Sequence, residues 1–433
     1  MGKRSTSTYF ALLLIMGILL SAYGQWTRYF IDSSLMGARF ACAADFDGDG
    51  DLDVTAVGEM VNDVVWYEHI NDTLWIKHYI NQSLGRPSYV CAANIDGDND
   101  IDVVVSAYSD NMVVWYENTL PDTSWTEHTV AAGLGGPIDM CAGDIDNDTD
   151  IDVIVAEWDA DVLICYQNPS WTPDTIEDAL DGVGAPCLAN IDGDSEIDVV
   201  AVAQYDDAVV WYEAPNWDRH YIDDNLAEPF GLCLPDIDGD GDYDVVASDF
   251  TGDEVIWYEN MLPDSSWPEH IIDQDIDGPT YLCAADIDND NDSDVVVPGY
   301  FGQNYIWYEN TLPDSSWPLN IIDQWRTGPI CVCAADINED NYLDVVATAF
   351  DDHDVMWYKN PIAGVHEKTG IYGVTKYDAL STTIFSGPLL LPEGKSCRVF
   401  DITGRVVAPD MLRPGVYFIE LDGEITQKVV KVR

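Results

Sequence analysis

Asp45-Phe46-Asp47-Gly48-Asp49-Gly50-Asp51-Leu52-Asp53 is an aspartate-rich nonapeptide whose pattern returns six more times in this 433-residue chain. The further copies are Asn94–Asp102, Asp144–Asp152, Asn190–Asp198, Asp236–Asp244, Asp286–Asp294 and Asp336–Asp344, with start-to-start spacings of 49, 50, 46, 46, 50 and 50 residues. A small-residue segment with a cysteine three positions upstream precedes every copy. A β-branched run such as Asp102-Val103-Val104-Val105 follows it, then a turn and a second apolar segment such as Val113-Val114-Trp115-Tyr116-Glu117. A Trp-x-x-His-x-Ile pattern, as in Trp75–Ile80, comes last, often after a Leu-Pro-Asp-Ser-Ser loop. Each unit thus offers four short strands separated by turn signals, with no helical periodicity. Four strands at a period near 50 describe a propeller blade. The expected fold is all-β: a seven-bladed β-propeller over residues 25–361. A solenoid, the competing repeat architecture, needs capping units, and the first and last repeats here are ordinary.

Strand order predicts how the ring closes. Residues 26–31 match the fourth-strand pattern, whereas the last repeat leaves on a third-strand pattern at Met356–Asn360. The opening segment is therefore expected to supply the outer strand of the last blade and so hide an edge that invites aggregation.

Alternate carboxylates on a tight turn converge on one point, which is unfavourable unless a cation sits there. Hard oxygen donors at this density select Ca²⁺ over metals that prefer nitrogen or sulfur. The candidate ligands are positions 1, 3, 5, 7 and 9 of every loop, position 7 through its backbone carbonyl. They are Asp45, Asp47, Asp49, Asp51 and Asp53 in the first loop, and Asn94, Asp96, Asp98, Asp100 and Asp102 in the second. The third loop offers Asp144, Asp146, Asp148, Asp150 and Asp152, and the fourth Asn190, Asp192, Asp194, Glu196 and Asp198. The fifth offers Asp236, Asp238, Asp240, Asp242 and Asp244, the sixth Asp286, Asp288, Asp290, Asp292 and Asp294, and the seventh Asp336, Asn338, Asp340, Tyr342 and Asp344. Up to seven structural Ca²⁺ ions are expected. Gly or Asn at position 6 suits a left-handed turn. Thr149 and Ser195 suit it less, and Asn338 removes a carboxylate, so the third, fourth and seventh loops are expected to bind more weakly. An EF-hand is excluded, because position 12 is Ala or Val in every copy and falls within a strand.

Seven cysteines share one repeat position: Cys42, Cys91, Cys141, Cys187, Cys233, Cys283 and Cys333. On separate inner strands they stand too far apart for bridges and are expected to be small buried hydrophobes. Cys165 takes the place of a third-strand Trp, Cys331 shares a strand with Cys333, and Cys397 lies in the tail.

Charge divides the chain. Residues 25–361 hold seven basic and 71 acidic residues, and the whole chain has a formal charge of −61. This excludes nucleic-acid binding by phosphate neutralisation and disfavours docking on anionic lipid through a basic patch. Lys3 and Arg4 precede the apolar run Phe10–Leu20, and small residues stand at Ala22 and Gly24, which describes an export signal over residues 1–24. Eleven apolar residues are too few to span a bilayer. The mature chain is expected to begin near Gln25, to keep no transmembrane segment and to be secreted or held at the cell surface. Residues 362–372 are expected to form a linker and 373–433 a small C-terminal β-sandwich.

The nonapeptide repeat over residues 26–360 resembles the FG-GAP/VCBS calcium-binding propeller repeats, which occur in integrin α-subunit heads and some secreted lectins. The resemblance implies ligands at positions 1, 3, 5, 7 and 9, as set out above. In the tail, Val399–Arg405, Leu412–Phe418 and Lys428–Arg433 resemble the C-terminal sorting domain of type IX secretion, with an ordinary small β-sandwich as the other reading. That resemblance implies the type IX machinery as a partner and transport across an outer membrane.

The sequence carries no nucleophile motif, phosphate loop or zinc cluster. His78, His128, His220 and His270 share one repeat position, which argues for structural or surface roles. The turn after the second strand carries Tyr108, Trp158, Tyr205, Phe250, Tyr300 or Phe350 in six repeats, often near an acid, at the end opposite the loops. These rings are either a stacking platform for sugars or plugs between blades. Three readings follow: a non-catalytic module that binds a glycan or protein, an extracellular polysaccharide lyase or hydrolase, and a passive surface module. A uniform spacing of 46 to 50 residues leaves little room for a catalytic insertion.

Overall fold

The computed structural model describes residues 25–119, 124–263, 266–313 and 316–361, together with the backbone of five strands in the tail. The expected export signal (1–24) and linker (362–372) lie outside the described residues. Residues 25–360 form one unit made of seven four-stranded antiparallel sheets. Among the described residues there is no helix, and none is long and apolar enough to cross a membrane.

The second blade shows the plan. Its strands Pro87–Ala93, Asp102–Ala107, Met112–Thr119 and Ser124–Ala132 lie side by side in chain order. The second strand is buried throughout because a blade packs on each of its faces, so it reads as a continuous apolar run rather than an alternation. The outermost strand is exposed or half-buried except at Val130. Cores form between neighbouring blades: Val57, Val64 and Trp66 of the first pack with Val103, Val105 and Tyr116 of the second.

Closure occurs as expected. Thr27–Asp32 pairs with Asp354–Lys359, placing Thr27 opposite Lys359 and Phe30 opposite Met356, and it completes the blade of Pro329–Ala335 and Asp344–Ala349. Tyr29 stacks on Trp357 with ring centroids 4.7 Å apart.

A second device joins neighbouring blades. A third-strand tyrosine hydroxyl meets a polar side chain at the end of the preceding blade's outer strand. Tyr67 donates to Asp32 at 2.9 Å, Tyr258 to Asp223 at 2.8 Å and Tyr358 to Asp323 at 3.0 Å, while Tyr116 accepts from Asn81 at 2.9 Å.

The nine described cysteines are all free thiols. The seven equivalent ones are half-buried on the innermost strands rather than fully buried, because these strands border the axis and not only the cores. Cys165 and Cys331 are buried. Burial pushes the Cys91, Cys187 and Cys333 thiols up to about 12, so they stay protonated.

In the tail, the strands Thr382–Phe385, Glu424–Lys431, Gly415–Leu421, Cys397–Asp401 and Val406–Val407 form one five-stranded sheet in that order. The expected sandwich requires a second sheet, and the remaining tail residues lie outside the described ones.

Candidate cation loops and the opposite face

The seven aspartate-rich loops join first to second strands and therefore share one end of the ring. The tight turn is built by left-handed residues at positions 4 and 6. At position 6, φ is +102° at Gly50, +84° at Asn99, +81° at Thr149, +129° at Ser195 and +101° at Gly241. Thr149 and Ser195, expected to fit poorly, adopt the same turn. Position 4 is left-handed as well, with φ of +62° at Asn147 and, without a side chain that favours it, +57° at Glu339.

Position 9 has a role that its place in the motif does not announce. Asp102 accepts the Ile95 N–H on one oxygen and the Asn118 N–H on the other, both at 2.8 Å. The corresponding aspartates repeat this in all seven blades, so each loop is tied to the end of its own third strand.

Carboxylate oxygens of Asp45, Asp47 and Asp53 lie within 4.8 Å of one another. So do those of Asp144, Asp146 and Asp152, of Asp236, Asp238 and Asp244, and of Asp286, Asp288 and Asp290. Thus the third loop gathers its acids as the first and fifth do. Burial, then facing carboxylates, pushes Asp53 and Asp244 up to about 7 and Asp294 to about 8, although each accepts two N–H bonds. Position 7 adds strain in three loops. Burial and the neighbouring carboxylates raise Asp51 and Asp242 to about 6 and Asp292 to about 7, and one oxygen of each is buried without a donor. Crowded acids with orphaned oxygens could hold a hard divalent cation, which would supply the missing positive charge.

The seventh loop differs. Asn338 donates its amide to Asp344 at 2.5 Å, and the Lys359 ammonium stands 3.5 Å from Asp340. Two groups of the chain itself thus answer the loop's charge.

The four equivalent histidines repeat one arrangement. His78 meets Glu68 at 2.8 Å and stacks on Trp66 with centroids 4.3 Å apart. His128, His220 and His270 do the same with Glu117 and Trp115, Glu213 and Trp211, and Glu259 and Trp257. The axis is filled on the side away from the loops. Tyr281 donates to Asp139 at 2.7 Å from three blades away, and Phe40 packs on Tyr89 and Tyr281 with centroids 3.8 and 5.4 Å apart.

The six aromatic turns lie opposite the loops, and several of their rings reach to the next blade. Tyr108 donates to Asp159 at 2.9 Å and Tyr300 to Asp351 at 3.1 Å, Trp158 meets Tyr205 edge-on at 5.3 Å, and Phe250 lies 6.4 Å from Tyr300. Plugging between blades therefore accounts for much of the pattern. Five of the six are half-buried, and Tyr205 is exposed. The rings most open to solvent on this face also include two that the repeat pattern does not mark, Phe301 and Trp325. Their signal was in the sequence as departures from the repeat: Phe301 follows the marked Tyr300, and Trp325 stands where other units carry a small or polar residue.

A family profile described as an FG-GAP-like repeat matches residues 94–155 and 236–297. No curated protein gives a significant sequence match. Among solved structures, a streptogramin B lyase is similar at 10% identity and a TM-score of 0.57, covering 78% of this chain and 99% of the lyase. A virginiamycin B lyase from Staphylococcus aureus, at 10% identity, has a TM-score of 0.56 over 77% of this chain and 98% of its own. A BBS1N chain solved in complex with ARL6DN, at 11% identity, has a TM-score of 0.57 over 78% and 97%. At such identity these likenesses concern the fold alone. The chain carries FG-GAP-like repeats on a seven-bladed β-propeller.

Proposed function

We propose that this chain is an exported, Ca²⁺-stabilised propeller that binds an extracellular glycan or protein without catalysis. Positions 1, 3, 5 and 9 of the loops hold the ions through side-chain oxygens, and position 7 through its carbonyl. The ions brace one face, and recognition belongs to the other. Export runs through the N-terminal signal and the type IX machinery, with the tail as the sorting element.

The observation that carries this reading is the repetition of the chemistry-bearing groups. The same His–Glu pair sits on the same Trp in four blades, which is the mark of a structural device. The features that break the repeat are exposed rings on the face away from the loops, where a binding surface has room to differ from blade to blade.

The test is binding of the mature chain to glycan and extracellular-protein arrays in millimolar Ca²⁺, repeated with Tyr205→Ala. Retention that weakens in the variant, with no change in the ligand's covalent structure, is the expected result. Ligand cleavage, or no binding to either array, overturns the reading.

A further inference from the structure

The ring departs from its own repeat at the junction of the sixth and seventh blades. In the loops leading into the other six blades, one apolar residue holds a fixed place: Leu35, Leu84, Leu180, Leu226 and Ile276 are buried there, and Leu134 is half-buried. Leu35 and Leu180 are 0% and 1% exposed. The loop into the seventh blade has Arg326 instead. Its guanidinium reaches Asp354 at 3.2 Å and Asp323 and Asp352 at 3.7 Å, so an ionic anchor replaces the apolar one.

The residue before it departs too. Ser34, Ser83, Gly133, Ala179, Asn225 and Asp275 occupy this place in the other loops, and Trp325 occupies it here. Trp325 is 79% exposed and has a φ of +69°. A bulky side chain in the left-handed region is strained, and an indole left in water forgoes the burial that usually offsets such strain. Neither cost serves the fold, since six other loops close without them.

The backbone beneath is fixed. The neighbouring turn Tyr300–Gln303 is pinned from both sides: Tyr300 N–H donates to Gly278 at 2.8 Å, Gly302 N–H to Asp277 at 2.9 Å, and Arg326 N–H to the Gln303 carbonyl at 3.1 Å. This turn carries Phe301, 56% exposed, whose ring lies over Gly278. Trp325 and Phe301 are therefore two open rings on one braced assembly, pre-organised for a ligand.

We infer that Trp325, seconded by Phe301, is a stacking site for a neutral carbohydrate. This rests on the binding role proposed above and names its ligand class and place. An indole offers a flat face to the C–H surface of a pyranose. The exposed groups on its own loop and on the loops and turns hydrogen-bonded beside it, Asp277, Gln303, Gln324, Thr327 and Asp351, suit hydroxyl groups and break up any continuous apolar patch of the kind a protein interface centres on. The acids also repel uronate or sulfated chains, as does a propeller of seven basic and 71 acidic residues.

The test is native affinity electrophoresis of the mature chain in Ca²⁺, in gels holding galactomannan, xyloglucan, polygalacturonate or gelatin. Trp325→Ala, Phe301→Ala and Tyr205→Ala are run beside it, with melting temperatures as the folding control. The expected result is retardation by a neutral polysaccharide and none by polygalacturonate. Trp325→Ala should weaken it about tenfold or more and Phe301→Ala less, at unchanged melting temperature. Retardation by polygalacturonate or gelatin alone overturns the inference, as does unchanged retardation of Trp325→Ala. If Tyr205→Ala abolishes retardation and Trp325→Ala does not, the binding role stands and this site falls. If no polymer retards the chain, the site falls, and the arrays decide the broader reading.

Discussion

The Asn118 side chain donates to the main-chain carbonyl of Phe46, 72 residues earlier, at 2.7 Å, and to that of Ile101 at 3.1 Å. One amide thus joins position 2 of the first loop to position 8 of the second. Asn168, Asn260, Asn310 and Asn360 make the same bridge between the loops that follow. The fourth blade has Ala214 at this place and the first has His69, so the bridges fall into two arcs, loops one to three and loops four to seven.

Replacing Asn118 with Ala removes a donor from the buried Phe46 carbonyl and from the part-buried Ile101 carbonyl. We expect a loss of about 1–3 kcal/mol in unfolding free energy, read by denaturant titration. A change below about 0.5 kcal/mol would show that the bridge adds nothing to stability.

Removing the divalent ion should lower the melting temperature of residues 25–361 sharply. A loop with a Kd near 10 µM in millimolar Ca²⁺ contributes about 2.7 kcal/mol by linkage, and several loops act together. Thermal unfolding with Ca²⁺ and then with chelator measures this. Equal melting temperatures would sink the Ca²⁺ assignment.

The seventh loop should take up its ion more weakly than the first or fifth, because Asn338 and Lys359 already answer its carboxylates. Asn338→Asp should raise the number of ions bound by one in a calorimetric titration. An unchanged stoichiometry would mean that the loop either fills already or stays closed.

Asp32 ties the closing strand to the first blade. Burial pulls its carboxyl up, but hydrogen bonds from Lys77, Ser34 and Tyr67 outweigh burial and hold it below the ordinary carboxylate value. A depressed folded value contributes stability that is full above the unfolded value near 3.8 and is lost as pH falls through the folded one. Asp32→Asn should therefore be less stable than the parent at pH 7, by about 1–3 kcal/mol. The gap should narrow as pH falls below about 4, the carboxylate range. A gap independent of pH would mean the charge on Asp32 does not matter.

Deleting residues 25–32 exposes the Asp354–Lys359 strand as an unpaired edge. Association visible by light scattering is the expected outcome. A monodisperse truncated chain would show that closure is dispensable.

The repeat was legible because the Asp–Gly turn chemistry and the largely apolar second strands are local properties, and seven copies at spacings of 46 to 50 residues leave little freedom in how they pack. Closure by residues 26–31 could be read for the same reason: a fourth-strand pattern at one end of the chain matches a missing strand at the other. The candidate loops were legible as residue types, since carboxylates two apart on a turn must converge. Which acids are orphaned was not, because Asn338 and Lys359 act through contacts that no spacing reveals.

By itself the sequence determined seven four-stranded units, their turn conformations and the acid-rich end of the ring, because each depends on neighbours within about fifty residues. Only the tertiary structure decided which aromatic turns plug the blades and which face water. Tyr108 and Tyr300 turn to an acid on the next blade, while Trp325 is held out by an arginine anchored to three aspartates. Burial of a ring is set by what the adjacent blade presents to it, and that surface is assembled only when the ring closes.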